Sequence, residues 1–116
     1  MSVVVITNEL TLGDVKKARE EYEFYIKVTV DIERGIVAIG GEYHADAEKI
    51  LIEKENCNSK SIWGGGYNIK TKSIETNAMI NLRPKTNDSM ELLDPTIRKR
   101  YIELVTNRLS CINQLI

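Results

Sequence analysis

Two apolar runs joined by a three-residue turn constrain this chain more than any other feature. Ile26, Val28, Val30 and Ile32 alternate with Lys27, Thr29 and Asp31, the period-two pattern of a strand with one buried face. Glu33, Arg34 and Gly35 supply the turn, with Gly35 suited to a left-handed conformation. The chain then returns as Ile36 to Tyr43, apolar on both faces at its start and so expected inside a sheet. Gly40 and Gly41 interrupt that run, which predicts a bulge or a place where another group approaches the backbone.

The remaining elements arrange themselves around this hairpin. Val3 to Ile6 reads as a short buried strand. Thr11, three residues before Asp14, is a capping-box start. Leu12, Val15, Ala18 and Tyr22 follow at helical spacing, giving a helix from about Thr11 to Tyr22. Asp46 to Lys54 fits either a short helix or a strand, and Asp46 as a cap favours the helix. Asn56 to Ser61 is a polar loop ending at Trp63 and three glycines. Tyr67, Ile69 and Thr71 alternate, as do Ile74, Thr76, Ala78, Ile80 and Leu82 after a turn near Lys72. This predicts a second hairpin that Pro84 ends, because proline cannot donate to a ladder. Lys85 to Ser89 is loop. Asp94 followed by Pro95 starts the last helix. Its apolar set comprises Ile97, Tyr101, Leu104, Val105, Leu109, Ile112 and Leu115, flanked by Ile102 and Ile116. That face is broad enough to suggest a homodimer through the C-terminal helix.

The expected fold class is α+β: one domain over residues 1–116, an antiparallel sheet of two hairpins with the N-terminal strand as a further member, and two main helices packed on one face. A chain of 116 residues can bury a core without metal or disulfide staples. Sixteen basic and seventeen acidic residues give a net charge of -1, so no overall positive field recruits nucleic acid, which ranks last among partners. Cys57 and Cys111 lack CxxC spacing and read as reduced thiols. No segment approaches the roughly 20 apolar residues that span a bilayer, and none resembles a secretion signal. A cytoplasmic protein without a membrane partner is expected.

Three polar groups are candidate sites. On an extended segment, Glu42, His44, Asp46 and Glu48 share one side. Glu42, His44 and Asp46 could then hold a divalent metal, the one cofactor these residues suggest. A helix would instead keep His44 with Glu48 and separate Asp46. The plainer reading is a solvated polar face. Trp63 with Gly64, Gly65 and Gly66 could present backbone N–H groups to an anion, but lacks P-loop spacing and a following helix. Asn81 and Arg83 alternate away from Ile80 and Leu82, and Arg83 could clamp a carboxylate, from a ligand or from Glu42. If these stretches converge, Glu42, His44, Trp63, Asn81 and Arg83 line one cleft. No catalytic nucleophile stands out, and Cys57 has no activating histidine nearby in sequence.

The segments DIERGIVAIGGEYHADAEKILIE, SIWGGG and MINLRP, followed by an acidic-Pro helix, resemble a small prokaryotic family of uncharacterised proteins. The likeness runs from about Val5 to Leu109, and the GGExHADAE and INxRP segments are its specific parts. It implies a compact one-domain protein and supplies no activity or catalytic residue. It directs attention to Glu42, His44, Asp46, Trp63, Asn81 and Arg83. The functional expectation is a small non-enzymatic binding or interaction domain that self-associates, its small-molecule or protein partner unspecified. The alternative is a metal-assisted, hydrolytic enzyme using His44 with Glu42 and Asp46.

Overall fold

The structure, a computed structural model, describes residues 3–7 and 9–115. The anticipated hairpin is its centre. β2 (Tyr25–Asp31) and β3 (Ile36–Ile39) pair antiparallel, with Val30 opposite Val37 and Val28 opposite Ile39. β1 (Val4–Ile6) adds beyond β3, while β4 (Ile62–Asn68) and then β5 (Ser73–Glu75) add beyond β2. The result is a five-stranded antiparallel sheet in the order β1-β3-β2-β4-β5.

Local chemistry places the helices. α1 (Leu12–Ala18) opens on a reciprocal cap: the Thr11 hydroxyl accepts from the Asp14 N–H and the Asp14 carboxylate from the Thr11 N–H, each at 3.1 Å. It ends sooner than the expected Tyr22. Arg19 turns out of the helix and donates to the Glu23 carbonyl at 2.8 Å, and the Tyr22 hydroxyl reaches the Glu42 carbonyl at 3.0 Å. α3 (Pro95–Arg108) starts where Asp94 accepts from the Thr96 N–H at 2.8 Å, and a short α4 (Ile112–Leu115) follows.

Helices cover both faces of the sheet. α1, α3 and α4 pack on Ile26, Val28, Val30, Val37, Ile39, Trp63 and Tyr67, so the two helices expected together do share a face. The ambiguous segment forms α2 (His44–Glu55), which lies on the opposite face, packing Ala47 and Leu51 against Ala38 and Ile62. Within α3, Tyr101 and Val105 are fully buried and Ile97 and Ile102 pack against the same core. Each such large apolar side chain contributes about 1.5–3 kcal/mol on full burial. Ile97 and Ile102 stay partly exposed at the edge of that core. Ile116, counted above with that set, lies outside the described residues.

Three further boundaries differ from expectation. β3 stops at Ile39, because Gly40 and Gly41 take φ values of 89° and 95° and turn the chain directly into α2. Trp63 to Gly66 are strand rather than loop, inside β4. The run from Ile74 to Leu82 leaves the sheet after Glu75, and Met79–Asn81 forms a single 3-10 turn instead. No described helix is long and apolar enough to cross a membrane.

Candidate functional site

A strand carrying three consecutive glycines runs against β propensity, and its surroundings explain it. A Cβ on Gly64 would stand 2.9 Å from both His44 Cδ2 and Ile80 Cδ1. One on Gly65 would collide with the Glu75 carbonyl and the Tyr101 hydroxyl, and one on Gly66 with the Tyr25 hydroxyl. The glycines make β4 thin enough for large side chains to rest on it from both faces.

His44, the first residue of α2, is one of these. The N–H of Tyr43 reaches the Asp46 carboxylate at 3.3 Å, fixing the helix start. The buried imidazole then lies with Nε2 2.6 Å from the Gly65 carbonyl. A carbonyl only accepts, so Nε2 carries the proton and Nδ1 keeps its lone pair. Burial lowers the His44 pKa, the Lys27 ammonium lowers it further, and the Gly65 carbonyl opposes both. The ring is neutral at physiological pH.

Asn81 and Arg83 grip β4 from its outer margin, beyond the reach of β5. The buried Asn81 carboxamide accepts from the Gly64 N–H and donates to the Gly64 carbonyl, both at 2.8 Å. A side chain thus takes the pairing position that a strand residue would fill. Asn81 also donates to the Met90 carbonyl at 3.0 Å. Its own carbonyl accepts from Asn87, which further ties the loop at Ser89 and Glu91. The Arg83 guanidinium lies 3.9 Å above the Trp63 ring, donates to the Lys60 carbonyl at 2.9 Å and bonds the Ile62 carbonyl. Burial lowers the Arg83 pKa, with the Glu48 carboxylate acting in the opposite sense.

His44, Trp63, Asn81 and Arg83 therefore gather around Ile62–Gly65. Trp63 packs in the α3-side core, whereas His44 approaches Gly64 with Ile80, on the α2 side. The polar atoms of Asn81 and Arg83 are occupied by main chain. Glu42 stays exposed and joins through its carbonyl only. Glu42, His44 and Asp46 do not form a ligand set: the helix separates them, and the caps and the Gly65 carbonyl engage Asp46 and His44. Among the described residues, no group of three or more His, Cys, Asp and Glu is arranged to hold a metal ion.

Of the five cleft candidates, only His44 lines an adjoining cavity of about 450 Å³. Its polar wall is His44, Lys27, Tyr25 and Asn77; its apolar wall is chiefly Tyr43, Ala78, Met79, Ile80 and Met90. The Lys27 ammonium sits 5.1 Å from the Tyr22 ring centroid and 5.7 Å from that of Tyr25, held by cation–π attraction. Burial, with Glu75 beside it, pushes the Tyr25 hydroxyl up to about 12, so it stays protonated. Tyr43 is 61%, Met79 77% and Met90 46% exposed, an apolar rim left open to water.

The family described as a protein of unknown function (DUF5674) matches residues 4–109. The chain belongs to this family. The match spans both segments that carried the resemblance, Gly40 to Glu48 and Ile80 to Pro84. No curated protein and no solved structure matches the chain.

Sequence reasoning on this DUF5674 member missed Tyr25, Lys27, Met79 and Met90. The first two were legible as outward positions of the alternating β2 run. The methionines carry no spacing signal, because Met79 opens the turn that ends at Asn81 and the Met90 carbonyl is brought to the Asn81 side chain only by the folded chain.

Proposed function

We propose that this protein is a small binding domain whose site is the cavity between the start of α2, the Met79–Asn81 turn and β2. Its ligand is a small molecule with a carboxylate head and an apolar body. One observation carries the reading: a single cavity combines a polar wall that includes Lys27, neutral His44 and protonated Tyr25 with an exposed rim of Tyr43, Met79 and Met90. Ligand sites pair a mostly apolar lining with a few fixed polar groups in this way, and methionines adapt to varied apolar shapes. The Lys27 ammonium supplies charge for the head, and the first turn of α2 adds its positive dipole end. The two free cysteines fit the expected cytoplasmic setting.

The test is a series of straight-chain carboxylates and their matching alcohols, followed by ligand-observed NMR and by the His44, Met79 and Met90 resonances. Carboxylates shift those resonances and bind more tightly than the alcohols. Lys27→Met removes the carboxylate advantage, and Met79→Asp weakens the whole series. A series that leaves the three resonances unmoved, or binds equally well to both variants, refutes the assignment.

A further inference from the structure

A second cavity, of about 440 Å³, shares no lining residue with the first. It lies between the β2–β3 turn and α3 and is lined chiefly by Arg34, Gly35, Arg100, Glu103, Asn107 and Arg108. The α3 residues follow the i, i+3, i+7, i+8 stripe of one helix face. Two guanidiniums converge on Gly35. Arg108 donates to its carbonyl at 3.1 Å, and an Arg100 terminal nitrogen would lie 3.5 Å from a Cβ built there. Arg100 is anchored through Nε to the Ile32 carbonyl at 3.2 Å. The adjacent Arg34 donates to the Glu55 and Asn56 carbonyls, each at 2.9 Å. Among the described residues, every hydrogen bond of these three guanidiniums ends on a neutral oxygen. The anchors fix the arginines in place without neutralising them. Arg34 is drawn to the C-terminal end of α2, so the charge beside Gly35 comes from Arg100 and Arg108, which against the Glu103 carboxylate leave one positive charge in this concavity of a protein whose net charge is -1.

We propose that this cavity binds a small phosphorylated molecule through its phosphate groups. Each guanidinium keeps N–H donors beyond those its anchors use, in the planar fork that matches phosphate oxygens. The concavity is local, and no aromatic side chain lines it, so it lacks the stacking platform and extended basic track that a nucleic-acid strand requires.

Binding of inorganic pyrophosphate, measured calorimetrically at low and at physiological ionic strength, is the test, with a short single-stranded oligonucleotide as the second arm. Pyrophosphate binds, and more weakly at the higher ionic strength. Arg100→Gln lowers the affinity about tenfold, as loss of one charge-assisted contact requires. Glu103→Gln raises it about threefold by removing the one repulsive charge. Opposite responses from neighbouring positions on one helix separate ligand contact from a general loss of structure, and melting without ligand confirms that both variants fold. Absence of pyrophosphate binding, or equal affinities in the two variants, overturns the proposal. An oligonucleotide that binds more tightly than pyrophosphate, with the same variant response, overturns the small-molecule assignment.

Discussion

Asn81→Asp perturbs the margin of β4 with almost no change in volume. The oxygen that accepts from the Gly64 N–H at 2.8 Å is retained. The amide nitrogen, which faces the carbonyls of Gly64 at 2.8 Å, Met90 at 3.0 Å and Thr76 at 3.3 Å, becomes a second oxygen. Two good donated bonds are lost; the Met90 carbonyl keeps the Ala78 N–H at 3.0 Å, whereas the buried Gly64 carbonyl is left unpaired, at about 1–3 kcal/mol. An ionised carboxylate facing those carbonyls without a partner costs about 3–5 kcal/mol. The expected loss near neutral pH is therefore about 3–5 kcal/mol, a large part of the 5–15 kcal/mol typical of a whole domain. The sign of its pH dependence follows. The new carboxyl has a folded-state pKa above its unfolded value of about 3.9. The variant is least impaired below that value, where the protonated form donates one bond, and the deficit grows as pH rises toward the folded pKa. Urea unfolding of wild type, Asn81→Asp and Asn81→Ala at about pH 5 and about pH 8 measures this, with the alanine variant expected to show no such trend. A deficit under about 1 kcal/mol at the higher pH, or one that does not change between the two, would refute the reasoning.

Three further outcomes are expected. Gly65→Ala lowers the melting temperature more than Gly64→Ala. Its Cβ meets the main-chain oxygen of Glu75, whereas the neighbours of Gly64 are side chains that can shift, at about 1–3 kcal/mol for overpacking. The reverse order in thermal melts would contradict the packing described. Burial, aided by Asp31, pushes the Cys57 thiol from 9.0 up to about 12. Stability contributed by the neutral thiol is complete below pH 9.0 and declines as pH rises toward the folded value. Alkylation of Cys57 in the native protein should be far slower than in urea. For His44, whose pKa burial lowers from 6.5, the neutral ring contributes stability above that pH, lost as pH falls through the folded value. Comparing acid unfolding of wild type with His44→Gln checks it: the variant should lose the part of the pH dependence that lies below 6.5.

Elements written in nearest-neighbour chemistry were legible in the sequence. The alternation from Ile26 to Ile32, the Thr11–Asp14 cap and the Asp94–Pro95 start each depend on residues within one turn or one strand. What escaped depends on distant partners. Alternation from Ile74 to Leu82 continues on paper, yet the chain leaves the sheet so that Asn81 can meet Gly64, 17 positions away. The glycine run resembles a loop until Tyr25, His44 and Tyr101 are seen resting against it. His44, Trp63, Asn81 and Arg83 all lie along Ile62–Gly65, but only His44 lines the adjoining cavity. A one-dimensional pattern could not tell that most of their polar atoms would be consumed by main chain, or that the open cavity would draw on Lys27 and Met79 instead.

The amide of Asn81 and the guanidinium of Arg83 have a consequence for how copies of this chain meet. Between Lys60 and Gly64 they saturate the carbonyls that a strand from a neighbouring molecule would need. That flank consequently offers no template for end-on polymer growth, even though its glycines carry no bulk to keep an intruder away.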